Sequence, residues 1–251
     1  MNEDGLVDPT TPVYPKKGAE DQFKSHHIPG LEQLADADLV IFFTRLLTLP
    51  DDQLEHIVAY LDSGKPIIGL RTANHGFRRA LPYKIGDKKQ VHFGREILGG
   101  SFMGHHGNWH RDSTRGDVID AVKDHPIVRG VKDIWGPSDV YRTYKEGTGL
   151  AEGCTALVMG QPLIGREHGG ADNPKKIPLP VAWYKHWETS GGKKARVFQS
   201  TMGSAKDLES EGLRRAWTLS ATTNRSPAAS TTPSSASSPS RFRPMIKARP
   251  T

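Results

Sequence analysis

The chain has 251 residues, 35% hydrophobic and 25% charged, which suffices for one good core and a small additional lobe. Its net charge of +6 is uneven: five basic residues and no acid between Arg225 and Thr251 leave only +1 on residues 1–224, so the body has no electrostatic footprint for nucleic acid. One cysteine, Cys154, excludes an intramolecular disulfide; no apolar run is long enough to span a membrane; and the start, Met1 to Gly5, has no signal-peptide character, so the chain as written reads as cytoplasmic.

Residues 1–30 are polar and turn-rich (Asp8-Pro9, Thr11-Pro12, Tyr14-Pro15) and read as an irregular segment. The first element is Leu39-Val40-Ile41-Phe42-Phe43, a continuous apolar run suited to a strand buried on both faces. A helix follows, with Thr48 and Asp51 fitting a capping box and Pro50 in the first turn. Leu54, Ile57, Val58 and Leu61 then share one helical face. Gly64 and Pro66 stop the helix, and Ile67 to Leu70 form a second strand, which completes a βαβ unit.

Beyond it the pattern loosens. Residues 76–116 are loop-like and glycine-rich, and further strands are expected at Ala156–Met159, Pro180–Trp183 and Ala195–Ser200. Asp207–Arg215 looks like the opening of a helix. From 216 to 251 a Ser/Thr/Pro-rich tail lacks the apolar area to offset its ordering entropy and reads as disordered. The α/β domain is therefore placed at residues 31–215.

Six of the eleven histidines lie between His75 and His125, densest in Gly104-His105-His106-Gly107-Asn108-Trp109-His110. Imidazole is both a metal ligand and a near-neutral proton carrier, so the cluster is either chemical or a set of loop caps in a polar crevice. His106 and His110 would share a helical face, but Gly104 and Gly107 argue for a loop. Zinc is a minor expectation; its acidic partner would be Asp112 or Asp139. The strand exit Arg71-Thr72-Ala73-Asn74-His75 is the second candidate, because ligands of open α/β sheets bind beyond strand carboxyl ends. There Arg71 is either a fixed cation for an anionic or polarised group or one half of a structural ion pair. Ser113-Thr114-Arg115-Gly116 is an anion-facing turn or a plain loop. No G-x-S-x-G elbow, Walker A loop or G-x-G-x-x-G fingerprint is present.

Leu39–Phe43, Leu49-Pro50-Asp51-Asp52-Gln53, Gly64 to Ala73, Leu98-Gly99-Gly100, His105-His106-Gly107 and Asp124-His125-Pro126-Ile127 together resemble the ThuA-like, trehalose-utilisation family, and Pro180–Trp183 and Arg196-Val197-Phe198 continue the match over roughly residues 30–215. The resemblance implies a flavodoxin-like three-layer sandwich with a mostly parallel sheet, related to class I glutamine amidotransferases. Where those enzymes carry a Gly-x-Cys nucleophile, this chain reads Gly69-Leu70-Arg71, and arginine has no thiolate to offer. Relatives begin with a further strand and end in an apolar, tryptophan-containing helix. Neither is apparent here, and a shifted reading frame is the expectation for the change after Arg215.

The leading expectation is a protein that binds or acts on a carbohydrate without amidotransferase activity. Its catalytic candidates are Arg71, His75, His106 and His110, and its ligand-binding candidates are Thr72, His105, Asn108 and Arg115. The alternative is a non-catalytic interaction domain on an amidotransferase-like fold.

Overall fold

In the computed structural model, residues 28–143 and 149–203 are described. The expected βαβ unit is present: β1 (Val40–Phe42), α1 (Asp51–Asp62) and β2 (Ile67–Leu70), with β1 and β2 parallel and Val40 opposite Ile67. Helix α1 buries Gln53, Ile57, Tyr60 and Leu61. Tyr60 Oη donates to the Pro66 carbonyl at 2.7 Å, which ties the helix end to the start of β2.

Two local expectations fail. The Thr48–Asp51 capping box does not form, because the helix starts at Asp51 behind an extended Pro50 and leaves Thr48 outside the cap position. Asp51 and Asp52 instead complement the dipole of the first turn. Nor is β1 buried on both faces: it is the outer strand of the sheet, and Leu39 and Ile41 are each 43% exposed.

Downstream come β3 (Ser113–Val118), β4 (Ile134–Gly136), β5 (Thr155–Leu163), β6 (Leu179–Glu188) and β7 (Lys194–Ser200). The last three cover the expected strands and extend beyond them. The seven-stranded sheet runs β1-β2-β7-β6-β5-β3-β4. Only β1–β2 and β2–β7 pair in parallel; the other pairings are antiparallel, so the expected mostly parallel sheet is corrected to a mixed α/β fold with a mostly antiparallel one. The physical reason is connection length. The short link Thr189–Lys193 between β6 and β7 can only return the chain beside itself, whereas a parallel neighbour needs a long crossover. β3 corrects a second expectation, since Ser113–Gly116 is neither a turn nor a loop but strand, paired to both β5 and β4.

One core lies between α1 and the β1–β2–β7 region, with Phe42, Ile57, Leu61, Ile67 and Val197. The other gathers Val128, Val140, Leu157, Leu179 and Val181 around β5 and β6. Trp183 is fully buried, and its Nε1 donates to the Leu98 carbonyl at 2.6 Å. No helix among the described residues is long and apolar enough to cross a membrane. The expected irregular start up to residue 27, the helix at Asp207–Arg215 and the 216–251 tail lie outside the described residues, as do the positions where a first strand and a last helix are expected to be lacking.

Candidate functional site

The site forms at the carboxyl ends of β2 and β7. β2 ends at Leu70, and Arg71 opens a 3-10 turn, Arg71–His75, with φ of 43° in the left-handed region that side chains disfavour. What holds it there is its own guanidinium, which is 5% exposed. Nη1 donates to the carbonyls of Asp139 at 2.8 Å and Thr201 at 2.7 Å, and Nη2 donates to Asp139 Oδ1 at 3.2 Å. Its Cζ lies 3.7 Å from the centroid of the Tyr141 ring, a cation–π contact. Arg71 thus joins three segments through contacts that all lie within the protein.

The other oxygen of Asp139 carries the arrangement outward. Oδ2 accepts from Nδ1 of His105 at 2.7 Å. A carboxylate oxygen accepts here, so Nδ1 carries the proton, and in the neutral ring Nε2 presents a lone pair. Asp139 is 2% exposed, while the side chain of His105 is 33% exposed, so a buried anion orients a ring that solvent can reach. Trp109 stacks on that ring at 5.4 Å with 26° between planes, and is itself 59% exposed.

His75 completes the group. Its Nδ1 meets Asn74 Oδ1 at 2.8 Å, and its ring packs against Phe102 at 4.6 Å. Burial, and then the positive charges of Arg45 and Arg71 and the nearby His105 ring, push its pKa down to about 4. The ring is therefore neutral near pH 7. Because this value lies below the unfolded one of ~6.5, the stability that His75 contributes is complete above that pH and is lost as pH falls toward the folded value. In a His75→Gln chain the drop in Tm on acidification through this window is expected to be shallower, which thermal unfolding at stepped pH will measure. Equal slopes would remove His75 from the balance.

Of the remaining candidates, Thr72 sits half-buried in the same turn. His106 turns elsewhere, its Nε2 donating to the Ile177 carbonyl at 2.8 Å. His110 does not share a helical face with it: residues 104–112 contain no helix, and His110, with φ of 60°, packs beside Trp109 at 4.2 Å. Asn108 is consumed by Asp112, which takes bonds from its side-chain amide and its backbone N–H. Arg115 stands on β3, held by Asp117 and Asp172, so it is not brought to the group. Cys154 bonds the Gly99 carbonyl, and burial pushes its thiol pKa up, the reverse of an activated nucleophile. Among the described residues no set of three or more His, Cys, Asp or Glu is arranged to hold a metal ion.

Sequence reasoning did not assign Phe102 and Tyr141 to the site, and it considered Asp139 only as a metal partner. No local signal marks Asp139, because its importance comes from contacts to residues 34 and 68 positions away.

A family model described as ThuA, trehalose utilisation, matches residues 17–220. A solved ThuA-like protein from Bacteroides uniformis is 13% identical, with 77% of this chain and 71% of that one covered at a TM-score of 0.46. Another, from Parabacteroides merdae, is 14% identical, covering 67% of this chain and 60% of that one at 0.39. No curated protein matches the chain.

Proposed function

The chain belongs to the ThuA, trehalose-utilisation family, and from that premise we propose that it binds and acts on a carbohydrate at the Asp139–His105 dyad. The observation that carries this reading is the 2.7 Å bond from His105 Nδ1 to a buried carboxylate, which leaves Nε2 as an oriented proton acceptor beside an exposed indole. A sugar ring would lie on Trp109 through its C–H face. His105 Nε2 then takes the proton of a sugar hydroxyl, which is left as an alkoxide, and Asp139 stabilises the imidazolium that results. Arg71 acts through Asp139, whose carboxylate it fixes, rather than on the substrate directly.

Two-carboxylate glycosidase chemistry fits less well. Asp112 and Asp139 are both buried and both already engaged, by Asn108 and by Arg71 with His105. Glutaminase activity is not expected, with Arg71 where the nucleophile would stand. A second reading, a non-catalytic interaction domain, is favoured by the same buried Arg71–Asp139 pair, since an arginine spent on the scaffold needs no substrate to explain it.

A thermal-shift series against trehalose, other disaccharides and their oxidised forms separates the two. At least one sugar is expected to raise Tm, and Trp109→Ala is expected to weaken its binding by about tenfold or somewhat less. Because Trp109 is mostly exposed, that variant keeps its fold. No shift with any sugar would favour the interaction domain.

A further inference from the structure

His75 and His105 are turned the same way by unrelated devices. Nδ1 of His75 bonds an amide oxygen, Asn74 Oδ1, at 2.8 Å, and Nδ1 of His105 bonds a carboxylate oxygen, Asp139 Oδ2, at 2.7 Å. Both oxygens accept only, so with Asn74 Oδ1 facing the ring the proton of each neutral imidazole is on Nδ1 and the lone pair on Nε2, while Asn74 Nδ2 is buried with no hydrogen-bond partner among the described residues. Neither Nε2 has a hydrogen-bond partner among the described residues. The devices are themselves fixed, since Asn74 is 0% and Asp139 2% exposed. The orientation is set from the buried side while the rings remain within reach of solvent.

The two rings also converge. Phe102 lies 4.6 Å from His75 and 5.2 Å from His105, and Tyr141 lies 6.0 Å and 5.6 Å from the same two rings. Phe102 offers no polar atom, and the face of Tyr141 is occupied by Arg71. The two neutral imidazoles thus offer one acceptor each, beside the phenol of Tyr141.

We infer that His75 and His105 form a paired acceptor site whose ligand is a polyol presenting two hydroxyl donors. The inference rests on the carbohydrate reading and sharpens it: the ligand contributes the protons at both contacts. Groups that only accept, such as a carboxylate, a phosphate or a carbonyl, would set lone pair against lone pair there. An acceptor left unpaired at such a site costs about a factor of ten or more in affinity.

Calorimetric titration of the full chain with trehalose and its monodeoxyfluoro series tests this. Fluorine keeps the bond dipole but donates nothing. Fluorination at two or more positions is expected to weaken binding at least tenfold, and His75→Leu to cancel the penalty at one of them. If trehalose binds and every fluorinated analogue binds within twofold of it, the paired acceptor is overturned while the carbohydrate reading stands. If trehalose and the other disaccharides all fail to bind, the carbohydrate reading falls and takes this inference with it. Long-range ¹H–¹⁵N NMR of the wild-type rings needs neither sugar nor variant. Nδ1–H in both rings supports the pair, and Nε2–H in either one overturns it.

Discussion

Asp139→Ala is expected to lower the unfolding free energy by roughly 3 kcal/mol or more and to abolish any response to sugars. The carboxylate lies between two groups that need it. Arg71 is 5% exposed, and its charge would be left without a counter-ion in the protein interior. Two of its donors keep the carbonyls of residue 139 and Thr201, which places the loss toward the lower end of the range for a broken buried pair. His105 would lose the acceptor that fixes its tautomer, so the site suffers even where the fold survives. Asp139→Asn separates the effects: it retains shape and one acceptor, so it is expected to cost less stability yet still lose the oriented base. Urea unfolding monitored by tryptophan fluorescence checks the first effect, and sugar-dependent thermal shift checks the second. A change below about 1 kcal/mol for the alanine variant would put the pair in the class of exposed bridges such as Arg115–Asp117, where such small values are the norm.

How far the sequence announced this arrangement depends on the distance over which each feature is specified. The β1–α1–β2 unit was legible because strand-length apolar runs, a one-sided helix and the Gly64–Pro66 stop are all local. Strand β3 was not, since Ser113-Thr114-Arg115-Gly116-Asp117-Val118 has no apolar pattern of its own. It is a strand because β5 pairs with it along its whole length, with Ser113 opposite Leu163 and Val118 opposite Val158. The direction of the sheet was misread for a related reason: short apolar runs identify strands but not neighbours, and β7 reaches β2 only after β6 has turned back. Within the site, Arg71, His75 and His105 were named from motif and position. Their roles were not visible, because Asp139, which orients one and neutralises another, stands far along the chain beside no recognisable pattern. His106 and His110 were drawn in by sequence proximity to His105. Successive loop residues point in different directions, and here one meets Ile177 and the other the outer side of Trp109.

Gly94→Ala is the second substitution expected to act strongly, although the residue lies outside the group of polar side chains. Gly94 belongs to the turn Phe93–Ile97, which packs directly on the Arg71–His75 turn. A Cβ there would overlap the carbonyl oxygen of Asn74 and stand 2.7 Å from its carbonyl carbon and 3.2 Å from its Cα. All three obstacles are backbone, so no rotamer change can relieve them; one turn must move. Neither can do so freely, since Ala73 and Asn74 are each 0% exposed on the other side. Phe93 is 3% and Ile97 0% exposed, and Phe93 packs on Phe42 at 4.7 Å and on Phe77 at 5.0 Å. Whichever turn yields, the contact with Asn74 is disturbed, the residue whose side chain meets His75, in the turn that Arg71 opens. Overpacking a tight core costs about 1–3 kcal/mol, and with backbone as the obstacle the loss is expected at about 3 kcal/mol or above. Gly86→Ala provides the contrast, because a Cβ there meets nothing within 4 Å and only the φ of 53° opposes it. That leaves a strain term of about 1 kcal/mol. Denaturant unfolding of the two variants should rank them in this order. A Gly94→Ala chain as stable as Gly86→Ala would mean that the two turns do not touch as described, and with that the support beneath Arg71 and His75 would be lost.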